Sequence, residues 1–178
     1  MIRIIRYEGQ PVETLLNRAS TPQKDVTDAV AAILADVKAR GDEAVLDFCE
    51  RFDGARPQNL LVTQEEIERA YAAIEPELIA TMELAAANIT RFHAQQKRTG
   101  FMDAKENGVV VGQRVLPLRS VGLYVPGGTA RYPSSVLMDA IPAKIAGVRS
   151  LVMTTPPDAQ GNVPDIILAA AKIAGVST

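Results

Sequence analysis

The sequence predicts an α/β fold in which a helical amino-terminal region leads into a β-α-β-α unit with parallel strands. Three observations carry this. Apolar residues recur at helical spacing from Lys24 to about Lys97. Val121, Leu123 and Val125 then form a β-type run, closed by Pro126, Gly127 and Gly128 and followed by Leu137, Ala140, Ile141 and Ile145 at helical spacing. A second strand, 150–155, and a second helix, 164–174, repeat the pattern. Strands alternating with helices in this order imply parallel pairing through right-handed crossovers, an incomplete Rossmann-like unit over 120–178.

Residues 1–20 start with a short apolar, strand-like piece and continue as a polar helical stretch with Leu15 and Leu16, an arm that docks on another part of the protein or on a partner subunit. The mainly helical region, 21–119, follows. Val26, Val30, Ile33, Leu34 and Val37 fall on one face of a helix that Gly41 ends. Asp42 is positioned to cap the next helix, which carries Val45, Leu46, Cys49 and Phe52 on its apolar side and stops near Gly54. A brief strand is expected at 59–62. Thr63 and Glu66 then have the spacing of a capping box, with Ile67, Ala70, Tyr71 and Ile74 as the stripe of the helix it opens. Pro76 suits the first turn of another helix, along which Leu78, Met82, Ala85, Ile89 and Phe92 form one face. Residues 100–108, polar and bounded by glycines, read as a loop, and 109–118 as a β-rich stretch, so this region ends in a strand or hairpin. Ser134 is placed to cap the helix after the glycine turn, Gly147 to stop it, and Gly175 to cap the last helix; 176–178 look like the approach to a third strand.

Composition narrows the class. Of the 178 residues, 47% are hydrophobic and 22% charged, as in soluble globular proteins, and a formal net charge of -2 supplies no electrostatic attraction for nucleic acid. No apolar run is long enough to span a bilayer, and the first ten residues lack the apolar core of a signal peptide, so no membrane partner is expected and the cytoplasm is the expected compartment. Cys49 is the single cysteine, which excludes an internal disulfide and a Cys-rich metal site; among apolar neighbours it reads as a small core residue before it reads as a nucleophile. His93 is the single histidine, read as a helix-end residue because a metal would need further ligands.

Function concentrates in the strand-turn-helix at 121–147. In parallel α/β sheets ligands settle beyond the carboxyl ends of the strands, where loop amides and a helix N-terminus favour phosphate groups. Gly127 and Gly128 let a ligand approach the main chain, but their spacing is neither the dinucleotide fingerprint nor a P-loop. From the residues alone a structural turn and a ligand site both stay open. Tyr124 is likewise either a core aromatic with its hydroxyl at the rim or a side chain that stacks on a ligand, and Ser134 and Ser135 either cap the helix or meet a polar group.

The run 120–148, SVGLYVPGGTARYPSSVLMDAIPAKIAGV, resembles the corresponding segment of the histidinol dehydrogenases. So do NITRFHAQQK at 88–97, GQRVLPLRSVG, KARGDEAVLDFCERFDG and the strand LVMTTPP at 151–157, in the same order from about Thr21 onward. The resemblance implies an enzyme that oxidises L-histidinol to L-histidine in histidine biosynthesis, by two hydride transfers to NAD in a zinc-containing homodimer. It assigns Tyr124, Pro126, Gly127 and Gly128 to the NAD site. The family's zinc ligands and its catalytic Glu-His pair belong to its carboxyl-terminal part and match no position here, so no catalytic residue or metal ligand is assigned. The expectation is an amino-terminal portion, inactive alone. The alternatives are a paralogous zinc and NAD alcohol dehydrogenase of the same fold, or a truncated module that binds a nucleotide or a partner without catalysis.

Overall fold

A computed structural model describes residues 6–9, 23–127 and 131–178. The expected arm over 1–20 lies almost wholly outside the described residues. The chain divides into two compact units, Met1–Val45 and Leu46–Thr178.

In the first unit, helix α1 (Gln23–Arg40) runs to Gly41, which takes a left-handed φ of 62° and donates its N–H to Val37 O at 2.8 Å. The glycine stop is where the sequence places it. Ile33 and Val37 are half-buried, while Val26, Val30 and Leu34 of the same stripe stand exposed. Helix α2 (Asp42–Asp53) crosses the division between the units. Asp42 is not its cap. The carbonyl of Gly41 already accepts from Ala44 and Val45, so Asp42 falls inside the first turn, where its charge and that of Glu43 meet the positive end of the helix. Ala44 is the buried residue of α2. Phe52, expected on the apolar side, is 59% exposed and stacks on Phe48 with ring centroids 5.7 Å apart.

The second unit holds the sheet and the core. Residues 59–62 form no strand; Leu60 and Leu61 are exposed and the stretch joins neither described sheet, because an extended segment without a ladder partner remains a bend. Helix α3 (Gln64–Ala73) starts with the full capping box: Thr63 Oγ1 accepts from the Glu66 N–H at 3.2 Å, and the Glu66 carboxylate accepts from the Thr63 N–H at 2.7 Å. Two first-turn donors are thereby satisfied, so Thr63→Ala is expected to cost about 1 kcal/mol in urea unfolding. The Thr63 backbone N–H, then its side chain, holds the Glu66 carboxyl below the ordinary carboxylate range. Its stabilising contribution is therefore present at neutral pH and is lost as pH falls through the lowered value. Glu66→Gln, which cannot titrate, is expected to flatten that acid limb; an unchanged pH profile of stability would refute the role.

Helix α4 (Pro76–Ala94) has proline in its first turn, as expected. The expected inward face holds at Met82, Ala85 and Ile89 and fails at its two ends. Met82 is 5% exposed and Ile79, Ala85, Ala86 and Ile89 pack on the core, while Leu78 and Phe92 turn outward. An antiparallel hairpin follows, β1 (Phe101–Ala104) with β2 (Val110–Gln113) in the register Phe101↔Gln113 to Ala104↔Val110. The expected loop at 100–108 is thus half strand, and the expected strand at 109–118 is confined to β2. The backbone ladder and the turn at Lys105 to Gly108 decide this, since every residue of both strands is exposed.

The β-α-β-α unit is present as the sequence predicts. Strand β3 (Ser120–Tyr124) pairs in parallel with β4 (Ser150–Thr154), Val121 opposite Leu151 and Tyr124 opposite Thr154. Between them runs α5 (Pro133–Ile145), and after β4 comes α6 (Asp165–Ala174), closed by Gly175 at φ 72°. Val121, Leu123, Leu151 and Met153 turn to the core, which they share with Val136, Leu137, Ala140 and Ile141 of α5 and with Ile167, Ala170 and Ala174 of α6. Helix α3 packs on α6, and α4 on both α5 and α6. Lys172 of α6 ties these layers: its ammonium donates to Glu68 and lies 4.2 Å from the Tyr71 ring centroid, while the Tyr71 hydroxyl donates to Glu83 at 3.2 Å. Along the far edge of β4, Ser177 N–H donates to Leu151 O at 2.9 Å and Met153 N–H to Thr178 O at 2.8 Å, so 177–178 run beside β4 as the expected approach to a third strand, while among the described residues the sheet itself has two strands. The other face of the sheet, with Gly122, Tyr124, Val152 and Thr154, is exposed.

Candidate functional site

The carboxyl ends of β3 and β4 lie side by side, and the candidate residues gather there. Tyr124 is the last residue of β3. Strand alternation turns it to the open face of the sheet, and it is 64% exposed, so it is no core aromatic in this chain. Val125 is fully buried, and its N–H donates to Thr154 O at 2.9 Å, which carries the ladder one residue past β3. The chain then surfaces: Pro126 and Gly127 are exposed, and Gly128 lies outside the described residues.

Gly127 has no left-handed φ; what a side chain there would meet is a tight space. A methyl group on Gly127 would stand 3.2 Å from Pro156 Cδ and 3.3 Å from Pro156 Cβ and Cγ. Pro156 stands just past the predicted strand at 150–155, and residue spacing alone does not show this contact. The available signal was position: Pro156 follows β4 as Pro126 follows β3, and parallel neighbours bring the two exits together.

Helix α5 presents its N-terminus at the same end of the unit. Tyr132 is its cap residue without a side-chain cap bond, and Pro133 opens the helix. Ser134, expected as the cap, sits one position inside, because the Pro133 ring presets the first helical turn. Ser134 is exposed; Ser135 is half-buried and its N–H donates to Tyr132 O at 3.0 Å. Arg131 and Tyr132 are exposed beside them, and Asp139 is an exposed position on the helix. The phenol of Tyr124, the exposed bend and the positive helix end are suited to an aromatic ring and to anionic or polar groups. After β4 the loop is ordered by Asp158, whose Oδ1 accepts from Gln160 N–H at 3.0 Å and Asn162 N–H at 2.9 Å.

The remaining candidates have local partners. His93 Nδ1 is 2.7 Å from Gln96 Oε1, with Phe92 edge-on to its ring, the helix-end arrangement expected of it. Cys49 is free and half-buried; burial pushes its thiol up, and the neighbouring Asp53 carboxylate adds to this, which keeps it a neutral thiol. Among the described residues no group of three or more His, Cys, Asp or Glu side chains is arranged to hold a metal, and no helix is long and apolar enough to cross a membrane.

A parallel strand pair with a helix after each strand defines an α/β protein with its candidate site at the strand ends. Residues 16–178 match the family model described as histidinol dehydrogenase. The histidinol dehydrogenase of Chlorobium chlorochromatii is 52% identical over 180 residues, covering 100% of this chain and 42% of that protein. That of Methanothermobacter thermautotrophicus is 42% identical over 177 residues, covering 99% of this chain and 42% of that one. The crystal structure of histidinol dehydrogenase from Elizabethkingia anophelis is similar with a TM-score of 0.81 at 34% identity, over 93% of this chain and 39% of that chain. The chain belongs to the histidinol dehydrogenase family, a family of oxidoreductases, and spans about two fifths of the length of these relatives.

Proposed function

We propose that this chain forms one side of the NAD site of a histidinol dehydrogenase, whose whole protein oxidises L-histidinol to L-histidine in histidine biosynthesis as a zinc-dependent cytoplasmic homodimer. The observation that carries this reading is the exposed Tyr124 at the carboxyl end of β3, beside the exposed Pro126 and Gly127, in a chain of this family. Bound NAD supplies the acceptor for the hydride leaving the alcohol carbon. Tyr124 would stack on or hydrogen-bond the cofactor, Pro126, Gly127 and Gly128 would line its edge, and Ser134 and Ser135 would meet a polar group of the substrate. The described residues do not fit zinc, since His93 is the only histidine and no acidic cluster accompanies it. Proton transfer and metal chemistry therefore belong to other parts of the whole protein.

On this reading the 178 residues alone turn over little or no substrate. Histidinol-dependent NADH formation with added zinc is the measurement, and robust turnover by the isolated chain would overturn the division of labour. The open sheet face with Tyr124 and Val152 favours a second reading, a module that only docks a partner. Calorimetric titration with NAD separates the two: binding supports the cofactor side, and absence of heat selects the docking module.

A further inference from the structure

We propose that Pro156 is the positioning residue of the turn after β3: its ring is the seat on which Gly127 rests, and it thereby fixes where the Pro126-Gly127 backbone stands beside Tyr124. The inference rests on the cofactor reading above and adds to it the loop after β4.

Two contacts in succession govern how the chain leaves β3. Val125 is held by its N–H bond to Thr154 O, and two residues later Gly127 lies so close to Pro156 that one added methyl would meet three ring atoms at 3.2–3.3 Å. The backbone at Gly127 is outside the left-handed region, so alanine is conformationally acceptable there and the ring is the obstacle. A proline ring has no side-chain rotamer into which it could swing away, and Pro156 is half-buried. The added methyl therefore requires the Pro156 ring or the Gly127 backbone to give by a few tenths of an ångström, beside the point where the proposed ligand meets the main chain.

The test is NAD binding by the 178-residue chain, read by calorimetry, in Gly127→Ala, in Pro156→Gly and in the double variant. Gly127→Ala is expected to weaken NAD binding about fivefold. Pro156→Gly removes all three contacting atoms, so the double variant should bind NAD more tightly than Gly127→Ala alone. Unchanged affinity in Gly127→Ala, or no recovery in a double variant with native circular dichroism, would overturn the inference. If the unsubstituted chain binds no NAD, the cofactor reading fails instead, and the seat is still read from thermal unfolding. Tm losses that are less than additive in the double variant support the contact, and additive losses refute it.

Discussion

Leu151→Ala is expected to lower the stability of the chain by about 3 kcal/mol, and in a small domain this is a large fraction of the total. Leu151 is fully buried as the second residue of β4, opposite Val121 of β3, and belongs to the cluster that joins the sheet to α5 and α6. Hydrogen bonds hold the backbone around it on both sides. Ladder bonds run to β3, and on the far edge the Leu151 carbonyl accepts from Ser177 while its N–H donates to Ser177 Oγ at 3.1 Å. The site is thus poorly able to collapse around a deleted side chain, so the loss includes a cavity as well as lost burial. Urea unfolding checks it, with Val152→Ala as the comparison. Val152 is the next residue, on the open face and 43% exposed, and its truncation should stay within about 0.5 kcal/mol. Equal losses at the two positions would mean that this face of the sheet is not the packed one.

What could be read from the residues follows the range of the forces involved. The Thr63-Glu66 box and the stops at Gly41 and Gly175 depend on contacts within a few residues, and the structure has them where the sequence indicates. The parallel unit was legible because Val121, Leu123 and Leu151 alternate inward on a period that only a strand supports. Hairpin β1-β2 was partly hidden because its exposed side chains carry no burial pattern, leaving the backbone ladder to define it. The α4 stripe was read correctly at Met82, Ala85 and Ile89 and misread at its start for a different reason: Leu78 and Ile79 are equally apolar, and only packing on α5 and α6 selects Ile79. At the candidate site the exposure of Tyr124 follows from strand alternation, whereas the contact between Gly127 and Pro156 joins residues 29 apart and becomes visible only once β3 and β4 are paired.

Tyr124→Ala is expected to weaken NAD binding by the isolated chain at least about tenfold, the loss of one aromatic stacking contact and one hydrogen bond together. Exposure makes this substitution informative. With 64% of Tyr124 open to solvent, its truncation should change stability by no more than about 0.5 kcal/mol, so a loss of affinity would not be a loss of fold. Tyr124→Phe keeps the ring and removes the hydroxyl, and it divides the effect. Full retention of affinity would assign the contact to stacking, while a loss near that of alanine would assign it to the hydroxyl. Thermal unfolding of the same variants with and without NAD gives an independent check, because a ligand that binds only the folded chain raises Tm in proportion to its occupancy. Should Tyr124→Ala bind NAD as the unsubstituted chain does, with the same Tm shift, Tyr124 would have no part in the cofactor site, and the exposed ring would be better explained as part of a sheet face that docks other protein.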